Sequence, residues 1–188
     1  PDLENNLIYP GFDATILYGS ENLHGGAEQG ATHGTKSTGV IVGENNNVGI
    51  VGIAHTSKVF SIRIARMWRN APPGPDDPIN WYTNEDFIIN GFKAALNNNC
   101  SVINCSWFCV NFQGITDIID SVNSIGRNGK GLPIVVAAGN IPTGDGPAFS
   151  SAPYGGQHVL FPAIIDRVIS VGGISLGSEL GRFNHGEG

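Results

Sequence analysis

No run of apolar residues in this chain approaches the roughly 20 needed to cross a bilayer, which excludes a membrane-spanning helix within it. Positive charge is scarce as well. Lys and Arg total 10 against 16 Asp and Glu, and no basic cluster occurs, so the electrostatic footprint of a nucleic-acid binder is missing. Charged residues make up only 14% of the chain, about half the usual share, so amides and turns dominate the expected surface. Cysteine is sparse and odd in number. Cys100, Cys105 and Cys109 fit neither a zinc signature nor a disulfide framework, and they read as small buried hydrophobes. The redox compartment is therefore left open. Met67 is the single methionine, no signal-peptide pattern precedes the fold, and the chain stops at FNHGEG. These ends lead us to expect an internal segment of a longer protein; a monomer is expected.

What the chain does have is glycine, asparagine and a set of short, well-separated patterns. Residues 31–40, ATHGTKSTGV, place His33 directly before Gly34 and at the start of a helical stretch reaching about Ile41. A histidine at a helix N-terminus is held in one orientation, and a following glycine leaves its ring accessible. That arrangement suits a general base. The bland alternative is a hydrogen-bonded loop histidine, and the triplet alone does not separate the two. The polar loop that follows, GENNNVG at 43–49, reads as an Asn-rich turn or as a loop turning oxygens inward around a hard cation such as calcium.

Further along, residues 58–65 (KVFSIRIA) predict a strand, and residues 68–83, rich in proline and tryptophan, a long surface loop. Asn84 is an N-cap, with Glu85 and Asp86 in the first helical turn and Phe87, Ile88, Gly91, Phe92, Ala95 and Leu96 as an apolar stripe. Residues 101–106 predict a compact buried strand. Ile115, Ile118, Ile119, Val122 and Ile125 predict a second amphipathic helix closed by Gly126 and Gly129. Residues 132–138, LPIVVAA, read as a strand covered on both faces, and 167–171 as the last strand. Alternating strands and helices imply an α/β fold with a mostly parallel sheet and helices on both faces, in three layers and truncated at both ends. Sites in such sheets form beyond the carboxyl ends of strands, where Ser106, Trp107, Phe108, Gly139 and Asn140 fall.

At this point the sequence resembles the subtilisin-like serine proteases. PDLENN resembles the segment after the family's catalytic-Asp strand, and HGTKSTG resembles the block holding its histidine. ENNNVGIVGIAHTSKVFSIRI resembles the calcium loop with the next strand, and FIINGFKAALNNNCSVINCS the helix and strand before the substrate segment. LPIVVAAGN resembles the oxyanion-asparagine block, and FPAIIDRVISVGGIS with RFNHGEG the approach to the nucleophile. These motifs stand in the family's order over nearly the whole chain.

The resemblance implies a serine endopeptidase acting on extended polypeptides. His33 would be its general base and Asn140 its oxyanion donor. Ser106, Trp107 and Phe108 would pair with substrate, while Ala137, Ala138 and Gly139 would wall a pocket. It also implies no cofactor for the chemistry, a structural calcium at Glu44, Asn46, Val48 and Ile50, and secretion to the extracellular space. Three departures stand out: Lys36 and His55 differ from common family residues, and Phe108 replaces a glycine, which predicts restricted substrate preference. Neither the family's catalytic-Asp motif nor its serine motif occurs in the 188 residues, so the isolated segment is expected to be inactive. A degenerate subtilase acting as a binding or scaffold domain is the main alternative. A nucleotide-binding domain is disfavoured because no helix follows 139–142, and a metal hydrolase because His24, His33, His55, His158 and His185 lack ligand spacing.

Overall fold

The computed structural model describes residues 2–16, 25–26, 32–68, 80–139 and 159–173. The chain divides into two compact units, Pro1–Cys100 and Ser101–Gly188. In the first, β1 (Leu7–Asp13) runs parallel to β2 (Val59–Arg63). The register slips between Ile8↔Phe60 and Phe12↔Ile62. Pro10, which has no N–H to donate, and Gly11 lie inside the slip. The far ends of both strands are tied by charge. Arg63 donates to Asp13 Oδ2 at 2.8 Å and to the Gly26 carbonyl, Thr15 donates to Asp13 Oδ1, and Arg66 Nε donates to Thr15 Oγ1. Asp13 and Thr15 are both buried, so this network satisfies polar groups that would otherwise be stranded away from water.

Helix α1 (His33–Val42) precedes β2, and its C-terminus is laced to the segment after the Asn-rich loop. Ile53 and Ala54 donate to the Val40 and Ile41 carbonyls. Helix α2 (Glu85–Asn97) begins as the sequence predicts: Asn84 Oδ1 accepts from the Phe87 N–H at 2.9 Å. Its buried face, Phe87, Ile88, Gly91, Phe92, Ala94 and Ala95, packs on β1 and β2. Gly91 lets the helix approach closely, because a Cβ there would lie 2.8 Å from Ile64 Cγ2. The expected loop at 68–83 begins and ends in strand. Its flanks form an antiparallel pair, β3 (Arg66–Trp68) with β4 (Asn80–Tyr82), and 69–79 lie outside the described residues. Tyr82 meets Phe87 edge to face at 6.0 Å, joining the pair to α2.

In the second unit β5 (Ile103–Cys105), β6 (Ile134–Ala137) and β7 (Ile169–Val171) form a parallel sheet in the order β5-β6-β7. Helix α3 (Gln113–Gly129) connects β5 to β6 and buries Ile115, Ile119 and Val122. Three expectations need correcting. β5 is shorter than 101–106, and Asn104 is exposed, because only Cys105 turns into the core. β6 alternates between fully buried Ile134 and Val136 and half-buried Val135 and Ala137, so it is not sealed on both faces. Ile125 is 60% exposed. Regular helical backbone stops at Gly126 (ψ 152), which takes the chain towards Leu132, and the apolar stripe ends at Val122. Among the described residues, no helix is long and apolar enough to cross a membrane.

Candidate active site

His33 is the first residue of α1 and is exposed. The helix is entered through Thr32, whose side chain makes no cap hydrogen bond. The first turn is held instead by Ser37 Oγ donating to the His33 carbonyl (3.1 Å) and Thr38 Oγ1 donating to the Gly34 carbonyl (2.8 Å). Among the described residues, nothing lies within 4 Å of where a Cβ on Gly34 would stand.

The other candidate residues belong to the second unit. Ser106 follows β5 directly, and Ala138 and Gly139 follow β6. Because Cys105 pairs with Val136 and the strands are parallel, 106–108 and 137–139 emerge side by side at one carboxyl edge. The Asn104 side-chain amide donates to Ser106 Oγ at 2.9 Å. The Cys109 N–H donates to the Phe161 carbonyl, closing the segment that carries Trp107 and Phe108. Phe108 is 38% exposed. The wall segment is held more tightly still. The Ala138 N–H donates to the Val171 carbonyl (2.8 Å), and the Ala138 carbonyl accepts from the Leu160 N–H (2.9 Å). Gly139 adopts φ 104, and a Cβ there would lie 2.6 Å from Leu160 Cδ1, so only glycine fits. Asn140 lies outside the described residues. Segments 106–108 and 137–139 are thus brought together in one unit, while His33 belongs to the other.

Two thiols, Cys105 and Cys109, bracket residues 106–108. Burial, aided for Cys105 by the adjacent Cys109 thiol, pushes both up to about 12. They are protonated at neutral pH, which removes them as candidate nucleophiles. Burial raises Cys100 as well, and all three cysteines are free.

At the Asn-rich loop the fold adds a residue that the sequence pattern missed. Asp2 sits against it: the Ile50 N–H donates to Asp2 Oδ2 at 3.3 Å, and the Glu44 N–H donates to the Asp2 carbonyl. Asp2 Oδ1 is buried with no hydrogen-bond partner among the described residues. A buried, unsatisfied carboxylate oxygen beside a loop of carbonyls and amides is what a hard cation would satisfy. Of the residues in the loop, Asn46 turns its Oδ1 back to accept from the Val48 N–H at 3.0 Å. The Glu44 carboxylate accepts from the Asn5 backbone and side-chain N–H groups at 2.7 and 2.8 Å. These bonds hold it below the usual carboxylate range. The Glu44 side chain is thereby committed to Asn5, which leaves its backbone carbonyl for a metal. No group of three or more His, Cys, Asp or Glu with metal-holding geometry occurs among the described residues. The donors would therefore have to be Asp2, Asn46 and main-chain oxygens.

Comparison with known proteins agrees with this architecture. A model of the subtilase family matches residues 2–187. The chain is 26% identical over 193 residues to the Major intracellular serine protease of Bacillus subtilis (strain 168), covering 98% of this chain and 50% of that protein. It is 25% identical over 174 residues to Subtilisin of Bacillus pumilus, covering 87% and 54%. It therefore spans about half the length of these curated relatives. Among solved structures, MycP1 with its N-terminal propeptide removed aligns with TM-score 0.53 at 22% identity, over 86% of this chain and 50% of that one. The epidermin leader peptide processing serine protease EpiP from Staphylococcus aureus aligns with TM-score 0.55 at 18% identity, over 90% and 42%. The fold is the α/β fold of these proteins.

Proposed function

We propose, from the premise that this chain belongs to the subtilase family, that it is part of a serine endopeptidase in which His33 is the general base. His33 takes the proton from a serine hydroxyl supplied by the rest of the protein and returns it to the leaving amine. Asn140 donates its side-chain amide to the oxyanion, a donor fixed before the charge develops. Ser106, Trp107 and Phe108 pair with an extended polypeptide, and Ala137, Ala138 and Gly139 wall the pocket beside it. The observation that carries this reading is the carboxyl edge of β5 and β6. It sets the two substrate-side segments next to each other and pins the second between β7 and Leu160. No cofactor enters the chemistry, the isolated segment is inactive, and the whole protein is a secreted monomer.

Asp2, Asn46 and the carbonyls of Glu44, Val48 and Ile50 would hold a calcium ion. Once bound, that ion would supply positive charge for the unsatisfied Asp2 oxygen and rigidify the loop behind α1. A second reading, a degenerate domain that binds peptides without cleaving them, is favoured by one feature: the exposed Phe108 ring in the substrate segment. In the catalytic reading the same ring narrows substrate choice. Treatment of the full-length protein with a fluorophosphonate probe separates the two. Covalent labelling that is lost on His33→Ala supports the endopeptidase, and an intact, folded, unlabelled protein supports the binding domain.

A further inference from the structure

The sequence holds two Asn-Gly pairs, Asn90-Gly91 and Asn128-Gly129, and the fold treats them in opposite ways. Asn90-Gly91 lies within α2. Gly91 is buried there, and the Ile62 and Ile64 methyls stand where a Cβ would go. Rotation of that peptide would break the helical ladder and the packing on β2. Asn128-Gly129 lies in the turn after the regular part of α3. Arg127 (φ 51, ψ 43) and Asn128 (φ 59, ψ 45) are both left-handed, and Gly129 follows at φ 83. All three are exposed, and among the described residues nothing lies within 4 Å of a Cβ position on Gly129. Two successive non-glycine residues in this region form a strained turn, so its opening is among the easier local motions of the unit.

We propose that Asn128 is a site of spontaneous deamidation, and that the fold protects Asn90 from the same reaction. Rotation of the 128–129 peptide brings the Gly129 backbone nitrogen onto Asn128 Cγ, an intramolecular attack favoured by proximity and unhindered by any side chain on residue 129. The new N–Cγ bond forms as the Cγ–Nδ2 bond breaks. Nδ2 leaves as ammonia carrying the backbone proton, and a five-membered imide remains. Water then opens the imide at either carbonyl, giving aspartate or isoaspartate at position 128 with no change of oxidation state. Both products place a negative charge between Arg127 and Lys130. The isoaspartyl form also inserts a methylene into the backbone of a turn closed by the Gly131 N–H donating to the Gly126 carbonyl at 2.9 Å. This turn feeds β6, so the modification loosens the junction between α3 and the central strand of the sheet.

The test is peptide mapping by mass spectrometry of the full chain aged at mildly alkaline pH, folded and in concentrated urea. In the folded chain, amide-to-carboxyl conversion and isoaspartate are expected in the peptide containing Asn128, while the peptide containing Asn90 stays intact. In urea both peptides are expected to convert at comparable rates. Conversion of Asn90 as fast as Asn128 in the folded chain would overturn the proposal, as would an Asn128 peptide that survives folded ageing unchanged.

Discussion

Asn6 offers a sharp test of how α1 is anchored. Its side chain is buried at 5% exposure, and Nδ2 donates at once to the Val42 carbonyl (2.9 Å) and the His55 carbonyl (2.7 Å). Val42 is the last residue of α1, so its carbonyl has no partner within the helix. Asn6→Ala removes two hydrogen bonds worth about 1 kcal/mol each and leaves the buried Val42 carbonyl and the more exposed His55 carbonyl without this donor, for a total loss of roughly 2–4 kcal/mol. Asn6→Asp keeps the shape but turns a carboxylate towards two carbonyl oxygens. Burial and the facing dipoles favour the neutral acid, while the Lys58 ammonium, 3.4 Å from Asn6 Oδ1, favours the carboxylate. Because Lys58 is exposed and also donates to the Asn5 carbonyl, the first two effects dominate and the folded pKa rises above the unfolded value of about 3.9. The proton is held more tightly in the folded state, so Asn6→Asp is relatively most stable below that unfolded value and loses stability as pH rises through the folded one. Urea unfolding of wild type, Asn6→Ala and Asn6→Asp across acid and neutral pH reads both effects. An alanine variant within about 0.5 kcal/mol of wild type, the range of an ordinary surface change, would refute the anchoring argument. An aspartate variant whose deficit does not shrink in acid would refute it equally.

The other predictions concern the thiols, the pocket wall and the cation loop. Cys105 and Cys109 titrate near 12 against a reference of 9.0, so the folded state keeps protons that the unfolded state releases. This contribution is complete below pH 9 and disappears as pH rises towards 12. Native-state alkylation at pH about 8 should be far slower than in urea, and Cys105→Ala should flatten the alkaline limb; labelling at the unfolded rate would contradict the burial. Gly139→Ala must displace Leu160 or abandon φ 104, which costs roughly 1–3 kcal/mol. Unfolding midpoints check the value, and a neutral substitution would show the wall to be slack. Calcium should raise the melting temperature in the full-length protein, by about 2.7 kcal/mol of stability at a hundredfold excess over Kd. Asp2→Asn should remove most of that gain, and an undiminished response would place the ion elsewhere.

Local signals were legible in the sequence, and contacts made at a distance were not. Asn84 and the stripe behind it announced α2 because a cap and an apolar face are written within a few residues. The carboxyl ends of β5 and β6 were legible to within about one residue, because a short apolar run breaks off there, whereas their starts lie two residues beyond the expected 101 and 132. The β3–β4 pair was missed because its two short strands flank a proline-rich stretch, and propensity gives no sign of a partner so far along the chain. Ile125 was assigned to the buried stripe because periodicity cannot register that Gly126 turns the backbone towards Leu132. Asp2 escaped notice as an oxygen donor because only the fold carries it to Ile50. Asn140 rests on its motif, since it lies outside the described residues.

The central claim is that His33 moves the proton in peptide-bond cleavage. Its most direct test is the kcat of the full-length protein on an extended peptide, compared with His33→Ala at matched folded content. The account predicts a loss of about 10⁴-fold or more, the scale on which removal of a general base acts in serine proteases. A His33→Ala protein that cleaves the peptide within tenfold of wild type would contradict it.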